Sequence, residues 1–186
     1  MKNTTPLWLN KPFILWLTGL PGSGKTTLSM YMGENLQFHN GAEVTVLDGD
    51  ILRQKPSNTL GYSPEDRMTH NLRVARKADE IARNGSPVIV ALISPYLKTR
   101  EQIKSECQDV IELYVKCPME VCQSRDPKGL YQLAREGRIK NFTGVDAPYE
   151  EPPNPEIIVE TDKMNLEECA VLIVRALGRM NYIQPL

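Results

Sequence analysis

Five short apolar runs recur along the chain: FILWLT at 13–18, EVTVLD at 43–48, PVIVALI at 87–93, DVIELYV at 109–115 and EIIVE at 156–160. Several are nearly continuous Val, Ile and Leu, the pattern of strands covered on both faces rather than of a sheet with one wet side. The segments between them, 24–39, 64–84, 98–107, 118–125 and 165–178, read as helices. The second is the best marked: Ser63-Pro64-Glu65-Asp66 offers an N-cap, a proline at the first helical position and acid in the first turn. Val74, Ala78, Ile81 and Ala82 form its apolar stripe, and Asn84-Gly85 ends it. Strands alternating with helices imply right-handed crossovers and a three-layer α/β/α sandwich around a mainly parallel five-stranded sheet. Ligands of such sheets bind beyond the carboxyl ends of the strands.

At 186 residues the chain suits a single domain, 1–186, with a full core. A net charge of −1 argues against a nucleic-acid polymer as partner, which calls for a basic face. FILWLTGL is too short to span a bilayer and runs straight into glycines, so no membrane association is expected. Cys107, Cys117, Cys122 and Cys169 show neither a CxxC pair nor zinc spacing, which reads as reduced thiols in a cytoplasmic protein.

Directly after the first run comes GLPGSGKTT, 19–27, a full match to the phosphate-loop pattern. Glycines let backbone N–H groups turn toward a phosphate chain, and the helix that follows adds its positive end. Gly22, Ser23, Gly24, Lys25, Thr26 and Thr27 are the expected ATP- or GTP-binding residues. Lys25 reaches the β- and γ-phosphates, and the Thr26 hydroxyl ligates Mg²⁺. No NKxD-like guanine-reading motif is present, which disfavours a switch GTPase. The arrangement resembles the nucleoside-monophosphate-kinase group of P-loop NTPases, whose lids close over ATP to keep water out.

The second run ends in LDGDILR, 47–53. Strand alternation would put Asp48 and Asp50 on one side at the carboxyl edge, where a carboxylate can accept a proton or organise Mg²⁺. Arg53 follows as a clamp for an anion. Arg67 and Asn71, four apart on one helix face with His70 adjacent, would suit an anionic acceptor; taken alone, Arg67 reads as a solvated surface charge. The third run places Ser94 at the cleft. Asp126 to Pro152 has too many Gly and Pro for a plain helix and no alternation, and a stretch this long in a compact domain is usually functional. Its position, roughly 125–150, is that of a lid.

GLPGSGKTT, LDGDILR, LGYSPEDR, ISPY, RDPKGLY and IKNFTGVDAPYEEP follow in that order, and together they closely resemble the adenylyl-sulfate kinase (APS kinase) family over roughly residues 13 to 162. The resemblance implies transfer of the γ-phosphate of ATP to the 3′-hydroxyl of adenosine 5′-phosphosulfate (APS), with Mg²⁺. It implies that Phe142 and Tyr62 stack on the adenine of APS and that Arg53 and Arg67 hold its phosphosulfate end. Asp48, His70, Asn71, Ile93, Ser94 and Lys140 complete the acceptor site, and Arg125 lies near the ATP base. Asp50 matches the family's base or Mg²⁺-organising aspartate, and Ser94 a serine described as a phosphoenzyme site. The resemblance also implies a homodimer that works with, or is fused to, an ATP sulfurylase. The sequence departs from the family pattern where His70 stands for an asparagine, with asparagine following at Asn71, where Tyr62 replaces phenylalanine, and where Gln132 replaces a lysine. Two other readings remain open: a kinase for another small acceptor, and a nucleotide-sensing domain without catalysis.

Overall fold

The protein is described by a computed structural model covering residues 7–53 and 60–185. In chain order the elements are β1 (Leu7–Leu9), β2 (Ile14–Thr18), α1 (Lys25–Asn35), β3 (Thr45–Asp48), α2 (Gly49–Arg53), α3 (Pro64–Arg83) and β4 (Val88–Ala91). They continue with α4 (Leu97–Glu106), β5 (Val110–Lys116), α5 (Met119–Arg125), α6 (Leu130–Arg135), β6 (Ile157–Glu160), α7 (Leu166–Arg179) and β7 (Ile183–Pro185). Five strands form one sheet in the order β3-β4-β2-β5-β6, parallel throughout. Central β2 is buried along its whole length, with Ile14 in register with Val88 on one side and Val110 on the other.

The pleat sends alternate residues of β2 to opposite faces, and each face meets its own helices. Ile14 and Trp16 pack with Val74, Ala75 and Ala78 of α3 and Ile103 of α4. Leu15 and Leu17 pack with Leu28 and Met32 of α1 and Ile173 and Leu177 of α7. Burying each such side chain stabilises the fold by about 1.5–3 kcal/mol, which is why the strands carry so few polar residues. Helix ends follow local chemistry: the Ser63 hydroxyl accepts from the N–H of Asp66 ahead of Pro64, and Asn165 with Glu168 closes a capping box on α7. No helix among the described residues is long and apolar enough to cross a membrane.

Four local features differ from expectation. α1 ends at Asn35 instead of running to 39, because Leu36 is extended and Leu7 takes the next residues into strand-like pairing. Leu7 donates to the Gln37 carbonyl, and His39 donates to that of Leu7, each at 2.9 Å. β1 then pairs antiparallel with β7, a two-stranded sheet too short to leave a period in the sequence. α2 and α6 are single turns within stretches read as strand end and loop. A third apolar cluster, Leu20, Cys117, Cys122, Tyr131, Ala134 and Phe142, lies under the 125–150 segment and anchors it.

The α1–β3 contact is close enough to test. A Cβ on Gly33 would stand 2.5 Å from Cγ2 of Val46, and a β-branched side chain turns aside poorly. Gly33→Ala gains about 1 kcal/mol of helix propensity against an overpacking cost of about 1–3 kcal/mol. The expected result in urea unfolding is a net loss of stability that is smaller when measured in a Val46→Ala background, which has its own cost of lost packing. A more stable single variant would show that the two elements have room to part.

Candidate active site

The turn from β2 into α1 is built around Lys25. Its ammonium is buried, and it donates to the carbonyls of Gly19 at 2.9 Å and Leu20 at 2.7 Å and to Oγ of Ser23 at 3.4 Å. Burial pulls its pKa down from 10.5 to about 8 despite opposing attraction from Asp50 and Asp48. Bringing carbonyls onto one ammonium folds the loop tightly, and two glycines permit it. A Cβ on Gly19 would meet the Val115 carbonyl at 2.5 Å, and one on Gly22, at φ 77, would meet that of Cys122 at 3.0 Å. From the far side, Oγ1 of Thr161 donates to the Ser23 carbonyl at 2.7 Å, and exposed Arg125 donates to the Thr161 carbonyl at 2.7 Å. Thr26 and Thr27 open α1 and are exposed, and Gly24 caps it in a left-handed conformation.

Asp48 is the buried junction between β3 and α2. Its Oδ2 accepts from the Thr26 hydroxyl at 2.7 Å, and its Oδ1 accepts the N–H groups of Asp50 and Ile51 at 2.9 and 3.2 Å. Those two bonds start α2 at Gly49, so the strand alternation expected to align Asp50 with Asp48 does not extend that far. Asp50 is exposed in the first turn of α2, and its carboxylate pairs with the Lys128 ammonium. A hydroxyl and a carboxylate side by side are the hard oxygen donors that Mg²⁺ takes in part, with phosphate and water supplying the rest. Among the described residues no group of three or more His, Cys, Asp and Glu forms a metal cluster. Arg53 ends α2, and its side chain lies outside the described part of the protein.

On the neighbouring strand, β4 ends at Ala91 and a loop carries Ile93 and Ser94. Ser94 is buried with left-handed backbone, φ 45, and its Oγ accepts from Nε1 of Trp16 at 3.0 Å. The Ile93 carbonyl accepts from the Thr18 hydroxyl at 2.7 Å. Along α3, Arg67, His70 and Asn71 are buried together, 7%, 5% and 3% exposed. Arg67 is therefore no solvated surface charge. Its Nη2 donates to the Asn141 carbonyl at 2.6 Å, its Nε donates to that of Tyr62 at 3.1 Å, and the guanidinium lies 5.5 Å from the exposed Tyr62 ring. Nδ2 of Asn71 and Oγ1 of Thr143 are buried with no hydrogen-bond partner among the described residues. Leaving such a group unsatisfied costs about 1–3 kcal/mol, a cost that a partner from water or from a ligand would relieve.

The 125–150 segment joins these two sides. Tyr131 on α6 is buried, and its hydroxyl donates to the Pro21 carbonyl in the phosphate loop at 2.9 Å. Phe142 is buried edge-on against that same ring, centroids 5.0 Å apart. The Asp146 carboxylate accepts the N–H groups of Asn141 and Phe142 at 2.7 and 2.6 Å, and these bonds hold its pKa below the usual range. Lys140 is exposed beside this turn. Sequence reasoning passed over Tyr131, Lys128 and Thr161: two stand inside the quoted RDPKGLY, where neither period nor charge pattern marks them out.

A sequence model described as Adenylylsulphate kinase matches residues 11–160 of the chain. An adenylyl-sulfate kinase of Picosynechococcus sp. is 44% identical over 171 residues, 92% of this chain and 96% of the relative. A probable adenylyl-sulfate kinase of Archaeoglobus fulgidus is 46% identical over 151 residues, 81% of this chain and 97% of the relative. Among solved structures, the Mycobacterium tuberculosis APS kinase in complex with AMPPNP and APS superposes with a TM-score of 0.83 at 35% identity, covering 90% of this chain and 98% of that one. A gluconokinase from Sinorhizobium meliloti, at 18% identity and a TM-score of 0.59, shares the fold alone.

The lowered pKa of Lys25 gives a signed test of the loop. With a pKa of about 8 in the free protein, Lys25 is largely neutral at pH 9, and a polyphosphate beside it favours the charged form. Binding of ATP at pH 9 should therefore take up a proton, and at pH 7, where the group is already charged, this uptake should fade. Calorimetry in buffers of different ionisation enthalpy measures it. Uptake that persists in Lys25→Met would assign the proton elsewhere.

Proposed function

The chain belongs to the adenylylsulphate kinase family, and from that premise we propose that it transfers the γ-phosphate of ATP to the 3′-hydroxyl of APS, giving PAPS and ADP. The observation that carries the proposal is the bridging by one segment, which touches the phosphate loop through Tyr131 and the buried polar face of α3 through Asn141. Such a segment, acting as a lid, orders the donor and acceptor sites together and keeps out water, the competing phosphoryl acceptor.

The roles follow from what each group can do. Lys25 and the amides of 22–27 stabilise the charge that spreads over the transferring phosphoryl group. Thr26 and Asp48 would hold Mg²⁺, which when bound neutralises phosphate charge. Asp50 orients or deprotonates the attacking hydroxyl, and its exposed pair with Lys128 is weak enough to open for substrate. Arg53 and Arg67 hold the phosphosulfate, and Phe142 and Tyr62 take the adenine. His70, Asn71, Ile93, Ser94 and Lys140 line the rest of the acceptor site, and Arg125 sits toward the ATP base. Ser94 serves as a cleft residue, since in-line transfer to the 3′-hydroxyl needs no phosphorylated enzyme. A single domain over 1–186, a second copy as partner, an ATP sulfurylase as the source of APS and a cytoplasmic location belong to the same proposal.

The decisive experiment is incubation with Mg·ATP and APS, with adenosine 5′-monophosphate as the acceptor control and the nucleotides resolved by chromatography. PAPS with stoichiometric ADP and little transfer to the control is expected. ATP binding without PAPS would leave the phosphate loop standing and refute the acceptor. Lys25→Ala should abolish turnover. Phe142→Ala should raise KM for APS about 5- to 150-fold, as the loss of about 1–3 kcal/mol of base stacking requires, and raise KM for ATP less; equal rises would mark a general lid defect.

A further inference from the structure

Arg100 on α4 is only 3% exposed, and its guanidinium joins three distant parts of the chain. Nε donates to Oε1 of buried Glu112 on β5 at 2.7 Å, Nη1 to the Ser94 carbonyl at 2.5 Å, and Nη2 to the Glu150 carbonyl at 2.6 Å. Replacing a buried ion pair by apolar groups often leaves a protein as stable or more so, so stability alone does not account for this one. Its geometry has another use. Ser94 has left-handed backbone, which a residue other than glycine keeps only where its surroundings over-determine it. Glu150 ends the 125–150 segment, where its N–H donates to the Pro95 carbonyl at 2.9 Å and its carboxylate accepts the N–H of Leu97 at 2.6 Å. One residue earlier, the Tyr149 hydroxyl lies 3.0 Å from that of Thr18, the last residue before the phosphate loop.

We propose that Arg100 is a positioning residue that fixes the acceptor floor at Ser94 and the lid stem at Glu150 as one unit. The proposal rests on the acceptor assignment above. The planar fork of arginine sets its donors in fixed directions, whereas a lysine ammonium is a mobile point charge and would not hold both carbonyls in the same register. Binding of APS and closure of the lid therefore share one anchor, and loosening it weakens the acceptor side while the ATP side keeps its own scaffold in Lys25 and Thr161.

Two variants test this. Arg100→Lys keeps the charge, and the double change Arg100→Gln with Glu112→Gln removes both members of the buried pair should the first fail to fold, with half-buried Lys104 keeping Glu156 as its partner. Hydrogen exchange, without any nucleotide, should show the Glu150 and Leu97 amides losing protection on the order of tenfold in either variant. Steady-state kinetics should show KM for APS rising on the order of tenfold and clearly more than KM for ATP, since the phosphate loop keeps Lys25 and Thr161 when the stem loosens. Unchanged exchange at Glu150, or KM values for ATP and APS rising together, would overturn the proposal. Wild-type protein that makes no PAPS would sink the acceptor assignment and the kinetic half of this proposal, while the exchange result would still decide whether Arg100 anchors the stem.

Discussion

A buried ammonium held by neutral groups is the constraint around which this site is organised. Lys25 has no carboxylate bonded to it among the described residues, only two carbonyls and a hydroxyl. Those partners compensate its desolvation incompletely, which is why its pKa falls. The cation is thus kept in place without being neutralised, and an arriving polyphosphate meets a charge that no counter-ion has claimed. The rest of the loop serves this arrangement: glycine at 19 and 22 lets carbonyls close on the ammonium, and Thr161 fixes the Ser23 carbonyl from behind.

Around that centre the 125–150 segment is held in two ways. Apolar contact is the firm one, through Tyr131 and Phe142 in a cluster with Leu20 and Cys122. Polar contacts are placed at its borders: Lys128 on Asp50 near the start, Arg67 on the Asn141 carbonyl, and Arg100 on that of Glu150 at the end. The first is exposed and the last buried, so the segment is tied least where it faces Asp50 and most where it returns to the sheet.

The inner strands β2, β4 and β5 could be read from the sequence because burial on both faces writes a nearly continuous apolar run, while the edge strands β3 and β6, half-buried or alternating, showed as shorter runs. Helix α3 was equally plain, since capping and amphipathicity agree. What escaped reading has physical reasons. β1 and β7 are three residues each and depend on partners almost the whole chain apart. The turn at Asp48 is made by one carboxylate taking two N–H groups, so a sequence of alternating acids looked like strand when it was a helix start. The burial of Arg67 depends on the Asn141 carbonyl from a segment seventy-four positions later, and no local pattern encodes that. Arg100 reads as one more charged residue on an ordinary helix until the fold closes over it.

The register of β2 has a consequence for how the molecule comes into being. Its first residue, Ile14, is paired with Val88 and Val110, so the central strand has no neighbour until much of the chain has been made. Closing loops of that length before any contact rewards it makes such sheets slow to form. The phosphate loop, hung between β2 and α1 and pressed against the Val115 carbonyl, inherits that delay. In refolding, then, recovery of nucleotide binding should follow the pairing of β2 with β4 and β5 and not the early growth of helices.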